Sequence, residues 1–125
     1  MNKQGLINWL LEGDVAIQYQ VYRDLVNEEK SDLQQRIATE GYGAVYLSHR
    51  NSNGHWGRRF YQPKWICSHY TLLDLRNLGL DRHNPQARET IEMIATREKT
   101  ADGGVNPAEI ISQSDVCVNG MFMNY

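Results

Sequence analysis

Cysteine is scarce in this chain: only Cys67 and Cys117 occur, far apart in sequence. A small secreted domain stapled by disulfides would carry more, so a reduced, cytoplasmic setting is expected. Long apolar runs are missing too. The patch from Leu6 to Leu11 is broken by Asn8 and is too short for a signal-peptide core or a membrane span. Positive charge is not in excess: thirteen Lys and Arg face fifteen Asp and Glu, giving a formal charge of -2. Nucleic acid or an anionic membrane would call for a net basic field, so neither is expected as a partner. Arg58-Arg59 and the Arg36/Arg50 pair read as solvated surface. The chain also lacks any Asp-x-Asp, any phosphate-cradling Gly-Lys-Ser loop and any His-Glu-x-x-His helix. Gly41-x-Gly43 alone is too little for a nucleotide loop.

What remains is punctuated into helix-sized pieces. Leu6, Trp9 and Leu10 repeat at helical spacing up to Gly13, and Asp14 then caps a segment with Ile17, Val21 and Leu25 on one face. Ser31 or Asp32 caps a third segment, with Leu33, Ile37, Ala44, Val45 and Leu47 on its apolar face and Gly41 and Gly43 interrupting it. After the loop Asn51-Ser52-Asn53-Gly54, Pro63 precedes a helix expected from Trp65 to Leu78. Pro85 opens another, with Ala87, Ile91 and Ile94 inward, and Pro107 opens the last, from Ile110 to Phe122. No segment alternates apolar and polar residues with β-branched enrichment, so the fold class expected is all-α.

The segments repeat. A helix, the turn Asn53-Gly54-His55-Trp56-Gly57, Pro63 and an apolar helix are followed by a helix, the turn Asp102-Gly103-Gly104-Val105, Pro107 and another apolar helix. Gly54 and Gly103 stand 49 residues apart. A two-helix period of that length suggests stacked helical hairpins, which bury their faces only against neighbours. The expected organisation is two N-terminal helices over 3–27 and repeat units over about 31–79 and 85–125. The last residues, Gly120 to Tyr125, form an apolar run without a stop signal. The expectation is therefore one domain, the N-terminal portion of a longer barrel, its open edge covered by a missing C-terminal half or by a second copy in a homo-oligomer.

From Gly41 onward the sequence resembles the terpene cyclase and protein prenyltransferase superfamily, in particular its squalene-cyclase-like α/α toroid. The motifs that carry the resemblance are Gly54-His55-Trp56, Asp102-Gly103-Gly104 and the run Trp65-Ile66-Cys67-Ser68-His69-Tyr70. In squalene-cyclase relatives a Gln ahead of the Gly-x-Trp turn ties consecutive hairpins together. Here Arg50 and Asn51 stand in that region, and Val105 replaces the second Trp. The resemblance implies a central cavity for an apolar or isoprenoid-like small molecule, with Trp65, His69 and Tyr70 as lining. Trp56, Trp9 and Trp65 are otherwise read as packing residues.

Asp115-Val116-Cys117 is the sharpest local pattern. Prenyltransferase β-subunits place two ligands of a catalytic zinc on an Asp-x-Cys and take the third from a His much later in the chain, so the resemblance implies zinc at Asp115 and Cys117; the third ligand would have to come from His69 or another chain. Thiolate and carboxylate suit zinc, and three protein ligands leave an open position. Residues two apart do not share a helix face, so one metal could be shared only at a helix start, with Ser112 or Ser114 as the cap. The other reading makes Cys117 a buried apolar residue and Asp115 a helix cap. The stretch Glu109 to Ser114 holds no cation for a diphosphate. Cys67 and His69 form a second ligand-like pair; His49 and His55 read as loop or cap residues, and His83 as solvent loop. Two functions remain open: a prenyltransferase- or cyclase-like domain for an apolar ligand, and a non-catalytic helical-repeat scaffold for a protein partner.

Overall fold

A computed structural model describes residues 2–125 and is mainly helical. Among the described residues no strand forms, only the isolated bridges Arg59–Gln62 and Lys99–Val105. No described helix is long and apolar enough to cross a membrane. The chain divides into two units, one of Met1–Ser48 with Leu75–Asp81 and one of His49–Asp74 with Arg82–Tyr125.

In the first unit, Asn2 caps α1 (Lys3–Leu11) by accepting from the Gly5 N–H at 2.8 Å. The chain turns before Gly13, and Asp14 starts α2 (Val15–Gln20), which runs on into a π-helical stretch over Val21–Val26. Asn27, at φ 60°, ends it. The buried face of α2 is Val15, Ala16 and Tyr19, packed with Leu33 and Ile37 and flanked by Tyr22, Leu78 and Leu80. This corrects the expected stripe, since Ile17 and Leu25 are exposed and only Val21 is buried. Bonds to i+5 widen the turn after Val21, so residues four apart no longer stack there. Trp9 is exposed as well and packs no core.

The expected third segment is two short helices, α3 (Ser31–Arg36) and α4 (Gly41–Ser48); the break falls just ahead of Gly41, while Gly43 lies inside α4 and does not interrupt it. One carboxylate organises this break. Asp14 accepts from the Ala16 N–H at 2.8 Å through one oxygen and from the Tyr42 N–H at 2.9 Å through the other. Gly41 sits at φ 60°, and a β-carbon there would run into the Asp14 carboxylate. The last turn of α5 (Ser68–Leu78) also belongs to this unit. Its free carbonyls are met by side-chain amides: Gln20 donates to Asn77 at 3.2 Å and Gln34 to Gly79 at 3.2 Å.

In the second unit α5 begins at Ser68 rather than Trp65. Residues 61–67 form turns around a cis Gln62–Pro63 bond, and Trp65 lies at φ 76°, outside helical space. The helix expected from Pro107 is likewise shorter, with α7 covering only Val116–Phe122. Asn106 accepts from the Ala108 N–H at 2.9 Å, which closes a turn instead of starting a helix. Only Pro85 stands at a helix start, opening α6 (Pro85–Arg97) behind the cap Asn84.

The two glycine turns share one hydrogen-bond pattern. Asn51 N–H donates to the His55 carbonyl at 2.8 Å and Gly54 N–H to the Asn51 carbonyl at 3.0 Å. Thr100 N–H donates to Gly104 at 2.9 Å and Gly103 N–H to Thr100 at 3.0 Å. The Asn53 side chain accepts from the His55 N–H, and Asp102 from the Gly104 N–H. Gly54 and Gly103 hold φ of 86° and 89°, a left-handed conformation that costs glycine little.

Asp14 carries two otherwise unmade backbone bonds, so Asp14→Ala is expected to cost about 1–3 kcal/mol in a urea unfolding curve. Asp14→Asn, which keeps one strong acceptor, should lose less. Equal stability of Asp14→Ala and the natural chain would show that the carboxylate does not hold the α2–α4 break.

Candidate functional site

Three of the residues picked out as cavity lining, Trp65, His69 and Tyr70, fall in one aromatic cluster, but in unequal positions. His69 is at its centre and fully buried, at 0% exposure. The first turn of α5 sets it there, with its own N–H donating to the Phe60 carbonyl at 2.9 Å. Around the imidazole stand Tyr70 at 5.1 Å, Tyr61 at 5.2 Å, Phe60 at 5.5 Å and Tyr125 at 5.7 Å between ring centroids. Phe122 closes on Phe60 and Tyr125 at 5.9 and 5.4 Å. Edge-to-face contacts at these distances are worth about 0.5–1.5 kcal/mol beyond the area they bury. Trp65 is not a core residue. It is 71% exposed and, among the described residues, its ring meets the cluster at Tyr70, at 4.9 Å.

The polar atoms in this cluster are kept neutral. The Tyr125 hydroxyl and His69 Nδ1 are 2.8 Å apart, while His69 Nε2 has no hydrogen-bond partner among the described residues. Burial lowers the His69 pKa from its ordinary 6.5, so the ring is uncharged at pH 7. The hydrogen bond with Tyr70, together with burial, pushes the Tyr61 phenol up to about 12. Burial raises the Tyr125 phenol and the Cys67 thiol above their usual values. Chemically this is a set of ring faces and edges, buried at Phe60 and His69 and partly exposed at Tyr61, Tyr70 and Tyr125, with one imidazole nitrogen that has no hydrogen-bond partner among the described residues. It suits the binding of an apolar group and contains no thiolate or charged base.

Asp115 and Cys117 fall elsewhere. The Asp115 carboxylate accepts from the Val118 N–H at 2.9 Å and caps α7, as the cap reading expected. Cys117 is exposed, which corrects the buried-packing half of that reading: the first turn of α7 buries Val118 instead. Among the described residues no group of three or more His, Cys, Asp or Glu side chains is arranged to hold a metal ion. Zinc sites take three or four protein ligands, and this pair supplies two. The zinc expectation therefore rests on the resemblance alone, and no chemical step is routed through a metal. Cys67 is buried beside the aromatic cluster, and His49 and His83 are exposed, as expected of loop residues.

A second constellation involves residues the sequence did not single out together. Ser68 Oγ lies 2.8 Å from His55 Nδ1, and His55 Nε2 lies 2.8 Å from Glu98 Oε1. His55 lies in the glycine turn, as the loop reading expected, but it is buried and joins that turn to Ser68 and Glu98. Hydroxyl, imidazole and carboxylate in series resemble a hydrolase's nucleophile chain, but Ser68 is 0% exposed and its oxygen also accepts the Trp56 N–H at 3.1 Å. With no approach for a substrate and a lone pair already used, the chain is structural. One signal for the aromatic cluster was present in the sequence: Phe60, Tyr61, Trp65 and Tyr70 crowd into a short segment. Tyr125 and Phe122, more than fifty residues on, had none.

Protonating His69 means charging a buried ring, so its lowered pKa contributes stability above pH 6.5 that is lost as pH falls below it. The expected loss is up to about 1.4 kcal/mol per pH unit, and His69→Phe should remove that part of the pH dependence. Stability–pH curves that stay parallel between the two chains would show that His69 titrates alike in the folded and unfolded states. Ser68→Ala should cost about 1–3 kcal/mol by leaving the Trp56 N–H unmet, and a serine-directed fluorophosphonate should fail to label the natural chain. Labelling at Ser68 would show that the site opens.

Comparisons of the chain with protein-family models, with curated proteins and with solved structures find no match.

Proposed function

We propose that the aromatic cluster around His69 is a binding surface for an apolar, isoprenoid-like molecule, in a helical-hairpin domain of the terpene cyclase and prenyltransferase type. The observation that carries the reading is the neutral ring shell of Phe60, Tyr61, Tyr70 and Tyr125 about a buried imidazole with one nitrogen unpaired. Ring faces and edges give an unsaturated hydrocarbon contact area at low entropic cost, and they can also stabilise developing positive charge. Trp65 and Ile66 beside Tyr70 extend this surface into solvent.

The turns support the hairpin-repeat part of the reading, because the bonds of Asn51, Asn53 and Gly54 recur at Thr100, Asp102 and Gly103, at the same 49-residue spacing. Arg50 supports it as well. It donates to the Thr90 hydroxyl at 2.9 Å and pairs with Glu89 at 2.9 Å, while its guanidinium lies 5.9 Å from the Trp56 ring. Thr90 in turn donates to the Gly54 carbonyl at 2.7 Å. Arg50 thus ties the Gly54 turn to α6, the task that the resemblance gives to a Gln.

A second reading, a scaffold for a protein partner or a second copy, draws on other residues. Ile110, Val116 and Met123 are 95%, 87% and 82% exposed, which is unusual for residues so apolar.

Farnesol titrated into the protein should quench tryptophan emission saturably in Trp9→Phe, and Tyr70→Ala on that background should weaken binding about tenfold. A flat titration up to the solubility limit of farnesol removes the ligand reading. Concentration-dependent association in sedimentation, lost in Ile110→Ser/Met123→Ser, would instead favour the scaffold.

A further inference from the structure

Away from the aromatic cluster, the second unit carries a cleft of about 460 Å³ lined by Arg58, Arg59, Arg97, Glu98, Lys99, Asn106 and Glu109. Four cations face two carboxylates there, although the chain as a whole is slightly acidic. Glu98 is committed to His55 at 2.8 Å. Arg58, Arg97 and Lys99 have no ion-pair partner among the described residues. Arg59 is the exception. Its guanidinium holds Glu109 at 2.7 Å and lies 3.7 Å from Glu98 Oε2.

We propose that this cleft binds a compact, doubly charged oxyanion of the phosphate type, and that Glu109 is the group it displaces from Arg59. Glu109 already marks a place where a carboxylate meets Arg59. Its side chain is 83% exposed, and ion pairs of such exposure are worth about 0–1 kcal/mol, so little holds it. A monocarboxylate in solution gains nothing over Glu109, which is tethered at high effective concentration. A dianion does gain: it takes the planar fork of Arg59 in two bonds and draws Arg58, Arg97 and Lys99 with its second charge. Asn106 adds donors, since its amide oxygen is used by the Ala108 N–H while its NH₂ group has no partner among the described residues. Inorganic phosphate and the phosphate of a small monoester share this chemistry. Glu109 then acts as a built-in competitor that sets how much dianion is needed.

Calorimetric titration at pH 8 in 0.15 M NaCl tests this, with inorganic phosphate as probe and acetate as the monoanionic control. Saturable 1:1 phosphate binding with a Kd of roughly a millimolar is expected, and no binding of acetate. Glu109→Gln should tighten phosphate binding about threefold to tenfold by removing the competitor. Arg97→Gln/Lys99→Gln, two exposed changes that leave Arg59 and the His55 joint in place, should weaken it about tenfold. The proposal is overturned by any of four results: no saturation, acetate binding as well as phosphate, an affinity unchanged by Glu109→Gln, or an affinity unchanged by the double change. A phosphate monoester that binds tighter than phosphate itself would place additional contacts in the cleft; equal affinity would make the phosphate group the whole ligand.

Discussion

The imidazole of His55 is the joint on which the second unit depends. Its two nitrogens meet the first residue of α5 and the residue that ends α6, Ser68 and Glu98, each at 2.8 Å. Its backbone N–H is held by Asn53, and the next N–H in the chain, that of Trp56, goes to Ser68. One ring therefore positions a turn and two helix ends. A made hydrogen bond contributes only about 1 kcal/mol net, but a buried group left unmet costs about 1–3 kcal/mol. The network acts mainly by making alternative arrangements expensive, which is how a small core acquires a single geometry. Trp56, buried directly behind the joint, adds the apolar area that makes the closed arrangement favourable.

Ser68 and His69 are neighbours in sequence, and the first turn of α5 sends them to different tasks. Ser68 joins the polar network; His69 enters the aromatic cluster. Fixing Ser68 therefore fixes the start of the helix and, one residue later, the imidazole at the centre of the rings. The neighbours of the imidazole there are mainly rings, with Tyr125 meeting one nitrogen, and the other nitrogen has no hydrogen-bond partner among the described residues. The surrounding hydroxyls and thiol answer the same environment by staying protonated.

Much of the helical content was legible because it is local. Asp14, Pro85 and Gly41 mark helix starts through chemistry that acts within a few residues. The 49-residue spacing of the glycine turns was equally open to view, as was the cap at Asp115. The misses have other causes. Trp65 looked like a helix start after a proline, but its backbone lies at φ 76°, outside helical space, and α5 begins only at Ser68. Ile17 and Leu25 fitted a regular stripe that the π-helical turn breaks. His55 with Glu98, and His69 with Tyr125, are pairs made by tertiary folding over more than forty residues, for which no local pattern exists.

Glu98 links the two chemically distinct parts of this unit. One carboxylate oxygen is bonded to His55; the other has no hydrogen bond and looks toward Arg59 at 3.7 Å. At that distance the attraction is coulombic and undirected, and it is stronger than on an open surface because the carboxylate is only 14% exposed. The charge that keeps the joint compensated is thus the same charge that faces Glu109 on the other side of Arg59. An arginine shared between a buried acid and an exposed one responds to whatever stands in the exposed place. Arg59 thus stands between the two carboxylates, 3.7 Å from the Glu98 of the His55 joint and 2.7 Å from the Glu109 of the cleft, with Glu98 itself the cap that follows α6.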